Sequence, residues 1–209
     1  MRLLLVLLAA AAFATPAAAS LETVVLSPAD DVSLPFLCSW GYDWQERCYR
    51  DHLDRLELGG AGDKVWRAAL RFSLEGALPP GATVVTAELW LRYDGTCTAP
   101  LRGTAPCDGR GFSLEARPIF TSDWYGRREV AFGPAVAWAE VEPGAAPEWV
   151  VLDVTDTVAD WNAGGLANDG MLLKLVDEQE DYAVGGPAMP SSSYADAAVR
   201  PRLVVSVMT

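Results

Sequence analysis

The chain has 209 residues, four cysteines, one histidine and a formal net charge of −12, with a sequence pI near 4.4. That length holds one sizeable β domain or two small ones. The acidity argues against nucleic acid and anionic membrane surfaces as partners, because both call for basic patches.

The first 19 residues read as an export signal. Arg2 is a minimal positive region, Leu3 to Ala14 is an apolar run too short to span a bilayer comfortably, and Ala17-Ala18-Ala19 offers small residues for cleavage before Ser20. No later apolar run approaches membrane-spanning length, so residues 20–209 are expected to form a single exported domain without membrane insertion.

Leu21–Leu26 is a first expected strand, followed by a turn over Ser27 to Asp31. Asp31 to Asp51 is a long segment holding the first cysteine pair. Leu53–Leu58 reads as a short strand, Gly59 to Asp63 as a turn and Lys64–Leu74 as a strand rich in β-forming residues. Thr83–Tyr93 alternates cleanly. Val85, Ala87, Leu89, Leu91 and Tyr93 share one face, while Thr86, Glu88, Trp90 and Arg92 share the other. Trp90 on the second face implies partial cover there. Asp94 to Gly109 is the second cysteine-bearing loop, Phe112–Arg117 resumes as a strand, and the Ala/Pro/Gly-rich stretch from Gly133 to Pro147 is expected to be irregular.

Trp149 to Lys174 organises the remainder. Trp149-Val150-Val151-Leu152 suits a strand, and Asp153 or Thr155 can offer an oxygen to cap a short helix. Val154, Val158 and Trp161 recur at helical spacing, placing one apolar stripe over Val154–Asn162 and Trp161 in the core. Gly164 and Gly165 stop the helix, Asn168-Asp169-Gly170 turns, and Met171–Val176 leaves as a strand. A polar loop over Asp177 to Ala198 precedes a terminal strand, Arg202–Val207. Eight or so strands with one short helix and long end loops predict an all-β, two-sheet jelly-roll-like sandwich with the helix plugging its end.

The cysteines read as disulfides in an oxidising compartment. Four cysteines allow three pairings. The local one, Cys38 with Cys48 and Cys97 with Cys107, is favoured because each pair brackets nine residues of loop-like composition. Zinc is poorly supported: no CxxC occurs, and His52 has no ligand cluster near it.

The order of motifs resembles the DNRLRE-type β-sandwich domains, a group related to carbohydrate-binding module family 96. The matching stretches are Ala68 to Leu74, Leu78 to Leu91, Asp123-Trp124 with Glu129 to Phe132, Leu152 to Asp156 with Val158 and Trp161, Asn168 to Lys174, and Arg200 to Val205. The resemblance implies a jelly-roll of the kind used by non-catalytic modules of secreted bacterial proteins, some of which bind polysaccharides.

Within the first cysteine bracket, Trp40, Tyr42 and Trp44, with Tyr49 just beyond, stand among charged residues. Sugar rings stack their C–H faces on flat aromatics while their hydroxyls pair with charged groups, so these four residues are the candidate ligand-binding platform. The competing reading folds the same tryptophans over an open end of the sandwich. Catalysis is disfavoured. The carboxylate run Asp177-Glu178 and Glu180-Asp181 lies in a polar loop and reads as solvated, no Gly-x-Ser-x-Gly occurs, and His52 is the sole imidazole. No cofactor is required by any motif. A structural Ca²⁺ is compatible with the carboxylates at Asp30, Asp31, Asp153, Asp156 and Asp169 near strand ends, though no ligand set can be named. The expected partner is an extracellular polysaccharide or cell-surface component; the alternative is a structural or adhesive assembly protein.

Overall fold

The computed structural model describes residues 19–37, 50–51, 54–61, 64–98, 104–107, 109–124, 130–142, 145–178 and 185–209. These build an all-β sandwich with one α-helix. Fifteen strands run in chain order. They are β1 (Leu21–Leu26), β2 (Asp30–Leu37), β3 (Arg50–Asp51), β4 (Arg55–Glu57), β5 (Gly59–Ala61), β6 (Lys64–Arg71), β7 (Thr83–Tyr93) and β8 (Thr96–Thr98). After them come β9 (Thr104–Pro106), β10 (Phe112–Pro118), β11 (Ala137–Val141), β12 (Glu148–Asp153), β13 (Met171–Leu175), β14 (Ala188–Pro190) and β15 (Arg202–Met208). The helix α1 spans Thr155–Ala163.

Four strands form one sheet in the order β1-β15-β7-β12. The larger sheet runs β11-β10-β13-β6-β2-β3, with β5 also paired to β6. All these pairings are antiparallel. The main core lies between the sheets: Ala87, Leu89 and Leu91 from β7, Val150 and Leu152 from β12, and Leu203, Val205 and Val207 from β15 meet Ala68, Leu70, Leu114, Leu173 and Leu175 of the larger sheet.

The alternation of β7 holds from Ala87 to Tyr93 and inverts before it. Ser206 pairs with Thr86 but Val207 pairs with Val84, so β7 carries an extra residue at Val85. A bulge of this kind reverses which side chains face inward. Val84 therefore packs on the core and Val85 is exposed, contrary to the uniform face expected from the sequence.

The helix ends as expected and begins differently. Gly164 adopts a left-handed conformation at the C-cap, which a residue without Cβ does cheaply. The N-cap residue is Val154, which has no capping oxygen. Asp153 supplies an oxygen to the first helical N–H as expected, but from the residue before the N-cap and as part of a relay. Asp153 accepts from the Thr155 backbone N–H at 3.0 Å and its hydroxyl at 2.6 Å, and Thr155 Oγ1 accepts from the Ala87 N–H at 2.9 Å. The helix is thereby tied to β7, and Val154, Val158 and Trp161 enter the core. Beyond it, Gly170 has φ 108°, and a Cβ there would stand 2.6 Å from the Leu70 carbonyl oxygen. Only glycine lets β13 start this close to β6.

Four stretches read as irregular or as turns contain strands, among them Gly59–Ala61 of the expected turn over Gly59 to Asp63, which pairs with β6 as β5. Ala137–Val141, within the Ala/Pro/Gly-rich region, is the edge strand β11, because Ala137 and Val141 face the core while Trp138 and Glu140 point outward. Asp30–Leu37, read as a turn and loop, is β2, and Ala188–Pro190, within the expected polar loop, pairs with β4. In the second cysteine loop β8 and β9 form a ribbon joined by Cys97–Cys107, with Cα atoms 5.0 Å apart. The Cys38–Cys48 pairing lies outside the described residues. Replacing Cys97 with Ser is expected to cost about 3 kcal/mol for a loop this short, read as a lower urea midpoint. No change in midpoint would mean the ribbon is held without the bridge.

A second, smaller core sits on the outer face of the larger sheet. Val32, Leu34, Ala69 and Leu172 point outward and are covered by Ile119 and Trp124, with Val130 and Phe132 packed alongside. The cover is pinned by Phe120 N–H donating to Ala131 O at 2.7 Å and Trp124 Nε1–H donating to Asp169 O at 2.8 Å. Two-sided burial explains why every residue of β13 is buried.

Candidate surface site on the four-stranded sheet

The outer face of the four-stranded sheet has no such cover among the described residues. Its side chains follow from register. Trp149 lies opposite Arg92, Trp90 lies between Val151 and Arg202, and Glu88 lies between Asp153 and Val204. Val150 and Leu152 are buried, so alternation sends Trp149 and Val151 outward.

These residues form one aromatic and cationic cluster. The two indoles meet edge to face with centroids 5.9 Å apart. The Arg202 guanidinium carbon stands 4.3 Å from the Trp149 ring centroid and 4.9 Å from that of Trp90, and the Arg92 guanidinium lies 5.7 Å from Trp149. Trp90 Nε1–H donates to Glu88 at 2.9 Å. Cation–π contacts of this kind contribute about 0.5–1 kcal/mol each at exposed sites. The cover implied for Trp90 is therefore Trp149 and Arg202. On the same face the exposed Val151 pairs with Trp90 and the exposed Val25 with Val204, while the exposed Leu21 and Met208 pair at the far end of β1 and β15. The result is an amphipathic surface offering apolar area, guanidinium donors and carboxylate acceptors together.

The carboxylates at Glu88 and opposite it at Asp153 each have a local donor. Hydrogen bonds from the Thr155 hydroxyl, then from its backbone N–H, hold the Asp153 carboxyl below its usual value. No group of three or more His, Cys, Asp or Glu is placed to hold a metal ion among the described residues. Of the carboxylates considered for Ca²⁺, Asp30 pairs with Arg71 and Asp31 accepts from the Ser192 hydroxyl at 2.9 Å.

The acidic run that read as solvated is corrected at Glu178. Its two oxygens accept from Arg67 at 2.9 and 2.7 Å, on the outer side of the larger sheet. Lys174 lies 3.1 Å from Glu115 and 3.6 Å from Glu178, and Arg117 donates to Glu115 at 2.8 Å. Burial raises the pKa of Glu115, but the hydrogen bonds from Arg117 and Lys174 outweigh it and hold the carboxyl below its usual value. A depressed folded pKa contributes stability above the unfolded value of about 4.3 and loses it as pH falls through the folded one. Stability should therefore decline progressively below about pH 4, and less steeply in Glu115→Gln. Acid titrations of the two proteins with the same slope would remove Glu115 from this account.

Trp40, Tyr42, Trp44 and Tyr49 lie outside the described residues, as do Cys38, Cys48 and His52. Trp161, set aside from ligand binding by its spacing, is in the core. The reading by sequence missed Trp149 and Arg202 as partners of Trp90. The signal was the outward phase of Trp149 in Trp149-Val150-Val151-Leu152 and of Arg202 before Leu203. No helix among the described residues is long and apolar enough to cross a membrane. No family model matches the chain, and no curated protein matches it.

Proposed function

We propose that the chain is a secreted, non-catalytic β-sandwich module of the DNRLRE type that binds extracellular polysaccharide, with the outer face of the four-stranded sheet as its contact surface. The observation that carries this reading is the Trp90–Trp149–Arg202 cluster on an exposed sheet face. A polysaccharide laid across it would place C–H faces on apolar area and hydroxyls near Arg92, Arg202 and Glu88. The predicted export signal and the Cys97–Cys107 bridge support an oxidising, extracytoplasmic destination. The aromatic residues Trp40, Tyr42, Trp44 and Tyr49 are proposed as a second contact region on the same ligand.

The test is affinity electrophoresis through gels containing neutral and acidic polysaccharides, with wild type and Trp90→Ala/Trp149→Ala. Wild type should be retarded by at least one polymer, and the double variant should bind it on the order of 10–100-fold more weakly, as for loss of aromatic anchors. Its fold should survive, since both side chains lie on the outer face. Free migration of wild type through every polymer would reject the reading.

A second reading is supported by the exposed Leu21 and Val25 on β1, an edge strand of the same sheet. An apolar edge can pair with another chain, as an assembly protein would require. Concentration-dependent association lost in Val25→Lys, with no polymer binding, would favour it.

A further inference from the structure

One edge of the four-stranded sheet is β1. Ser20 N–H donates to Thr209 O at 3.2 Å and Thr209 N–H donates back to Ser20 O at 3.1 Å, and the register with β15 then runs unshifted from Leu21 to Leu26. In an antiparallel ladder, hydrogen-bonded pairs alternate with pairs that are not hydrogen-bonded. Glu22, Val24 and Leu26 therefore direct their N–H and C=O groups to β15. Leu21, Thr23 and Val25 turn theirs to the other side, where no strand is paired among the described residues. Val24 and Leu26 pack against the core and anchor the strand, while Leu21 and Val25 are 65% and 60% exposed. Proteins that stay monomeric commonly guard such an edge with lysine, proline or a bulge. β1 reads Leu-Glu-Thr-Val-Val-Leu and has neither residue, and the bulge of this sheet lies between β15 and β7.

The strand is complementary to a second copy of itself. Turned antiparallel about Thr23, it sets Thr23 opposite Thr23 and Leu21 opposite Val25 of the other copy. Every outward-turned residue is then in a hydrogen-bonded pair, and apolar side chains meet on the outer face. Glu22, the one charged residue of β1, faces Val24. Moving the centre by one residue places Glu22 against Glu22, or carries Leu21 past the strand end to Ser27. We infer that β1 joins two copies of the chain into one continuous sheet about a two-fold axis at Thr23. The occupant rests on the edge-pairing reading above; the register does not follow from it and can fail separately. The axis stands perpendicular to the sheet, so two Trp90–Trp149–Arg202 clusters come to one face, where a long polymer would gain avidity. A strand of 6 residues is small beside the surface of about 1,200–2,000 Å² that stable interfaces bury, so the dimer is weak. The formal charge of −12 on each chain opposes association, so added salt strengthens it.

The experiment is sedimentation equilibrium of the exported chain at low and high salt, from about 10 μM to about 1 mM. A monomer–dimer equilibrium with Kd on the order of 10⁻⁴ M should appear, tighter at high salt. Thr23→Pro removes an outward N–H at the axis and leaves the pairing with β15 in place, because proline is tolerated where a strand N–H faces solvent. It should weaken the dimer about tenfold or more, whereas Thr23→Val, which keeps the N–H, should not weaken it. Val25→Lys changes only an exposed side chain and should weaken the dimer likewise. Mild oxidation reads the register. Thr23→Cys should crosslink to itself, since paired Cα atoms stand about 5.5 Å apart. Leu21→Cys should crosslink to Val25→Cys and not to itself, because its own copies are offset by about 13 Å along the strands. A chain that stays monomeric to about 1 mM at high salt would overturn the proposal. A dimer undiminished by both Thr23→Pro and Val25→Lys would place the contact on another surface and overturn it too. Leu21→Cys crosslinked to itself would overturn the register and leave the edge-pairing reading standing. A dimer with this register but no polymer retention would uphold the pairing and defeat the sheet-face reading.

Discussion

Trp161→Ala should destabilise the domain by about 3–5 kcal/mol, the range for truncating a large buried aromatic. In a chain of this size that is roughly a 6–20 °C fall in melting temperature. Trp161 is the largest side chain of the apolar stripe that α1 turns inward, beside Val154 and Val158. The helix cannot easily collapse into the space left behind. Its start is fixed to β7 through Val154 N–H donating to Ala87 O at 2.9 Å and through Thr155, and its end is fixed through Asn162 Nδ2 donating to Ala82 O at 2.9 Å. A rigid frame around a deleted ring keeps the cavity open, which puts the cost at the upper end. The urea midpoint should fall with little change in m. A loss below about 1 kcal/mol would mean that the helix lies on the sandwich without closing it.

Trp124→Ala should cost a comparable amount, about 3–5 kcal/mol, for a different reason. This ring is 1% exposed and forms the lid of the second core over Val32, Leu34, Ala69 and Leu172. It also satisfies the Asp169 carbonyl, and the Arg71 guanidinium lies 5.8 Å from its centroid. Truncation opens a cavity and leaves that carbonyl without its donor. Trp124→Phe separates the two losses: it keeps most of the ring and should cost about 1–2 kcal/mol through the hydrogen bond and the remaining gap. Equal, small effects of both substitutions would show that the segment from Ile119 to Phe132 does not depend on this anchor.

The parts of the fold legible in the sequence are those where one periodicity dominates. Ala87 to Tyr93 and the Val154, Val158, Trp161 stripe were readable because each presents a single buried face; the inversion at Val84 and Val85 was not, because a bulge leaves no mark on the alternation of residue types. Legibility failed where burial is two-sided or where pairing partners are remote. Asp30–Leu37 reads as a turn and loop because its inward Asp31 and Ser33 are polar. Their partners are remote in sequence: Ser33 Oγ accepts from the Glu57 N–H at 2.9 Å, and Asp31 accepts from Ser192. Ala137–Val141 hid among prolines and glycines because an edge strand needs only one partner, here β10. The candidate site was half legible. Trp90 signalled a covered outer face, but Trp149 and Arg202 come from strands whose register against β7 only the folded sheet supplies. Glu178 was misread for a similar reason: its partner Arg67 is remote in sequence.

The most direct measurement of the sheet-face claim is amide hydrogen exchange with and without a polysaccharide that retains the protein in gels. Added protection is expected at the outer-face positions of β7, β12 and β15, centred on Trp90, Trp149 and Arg202, and that protection should be lost in Trp90→Ala/Trp149→Ala. Protection confined to residues 38–49, with the four-stranded sheet unchanged, would contradict it.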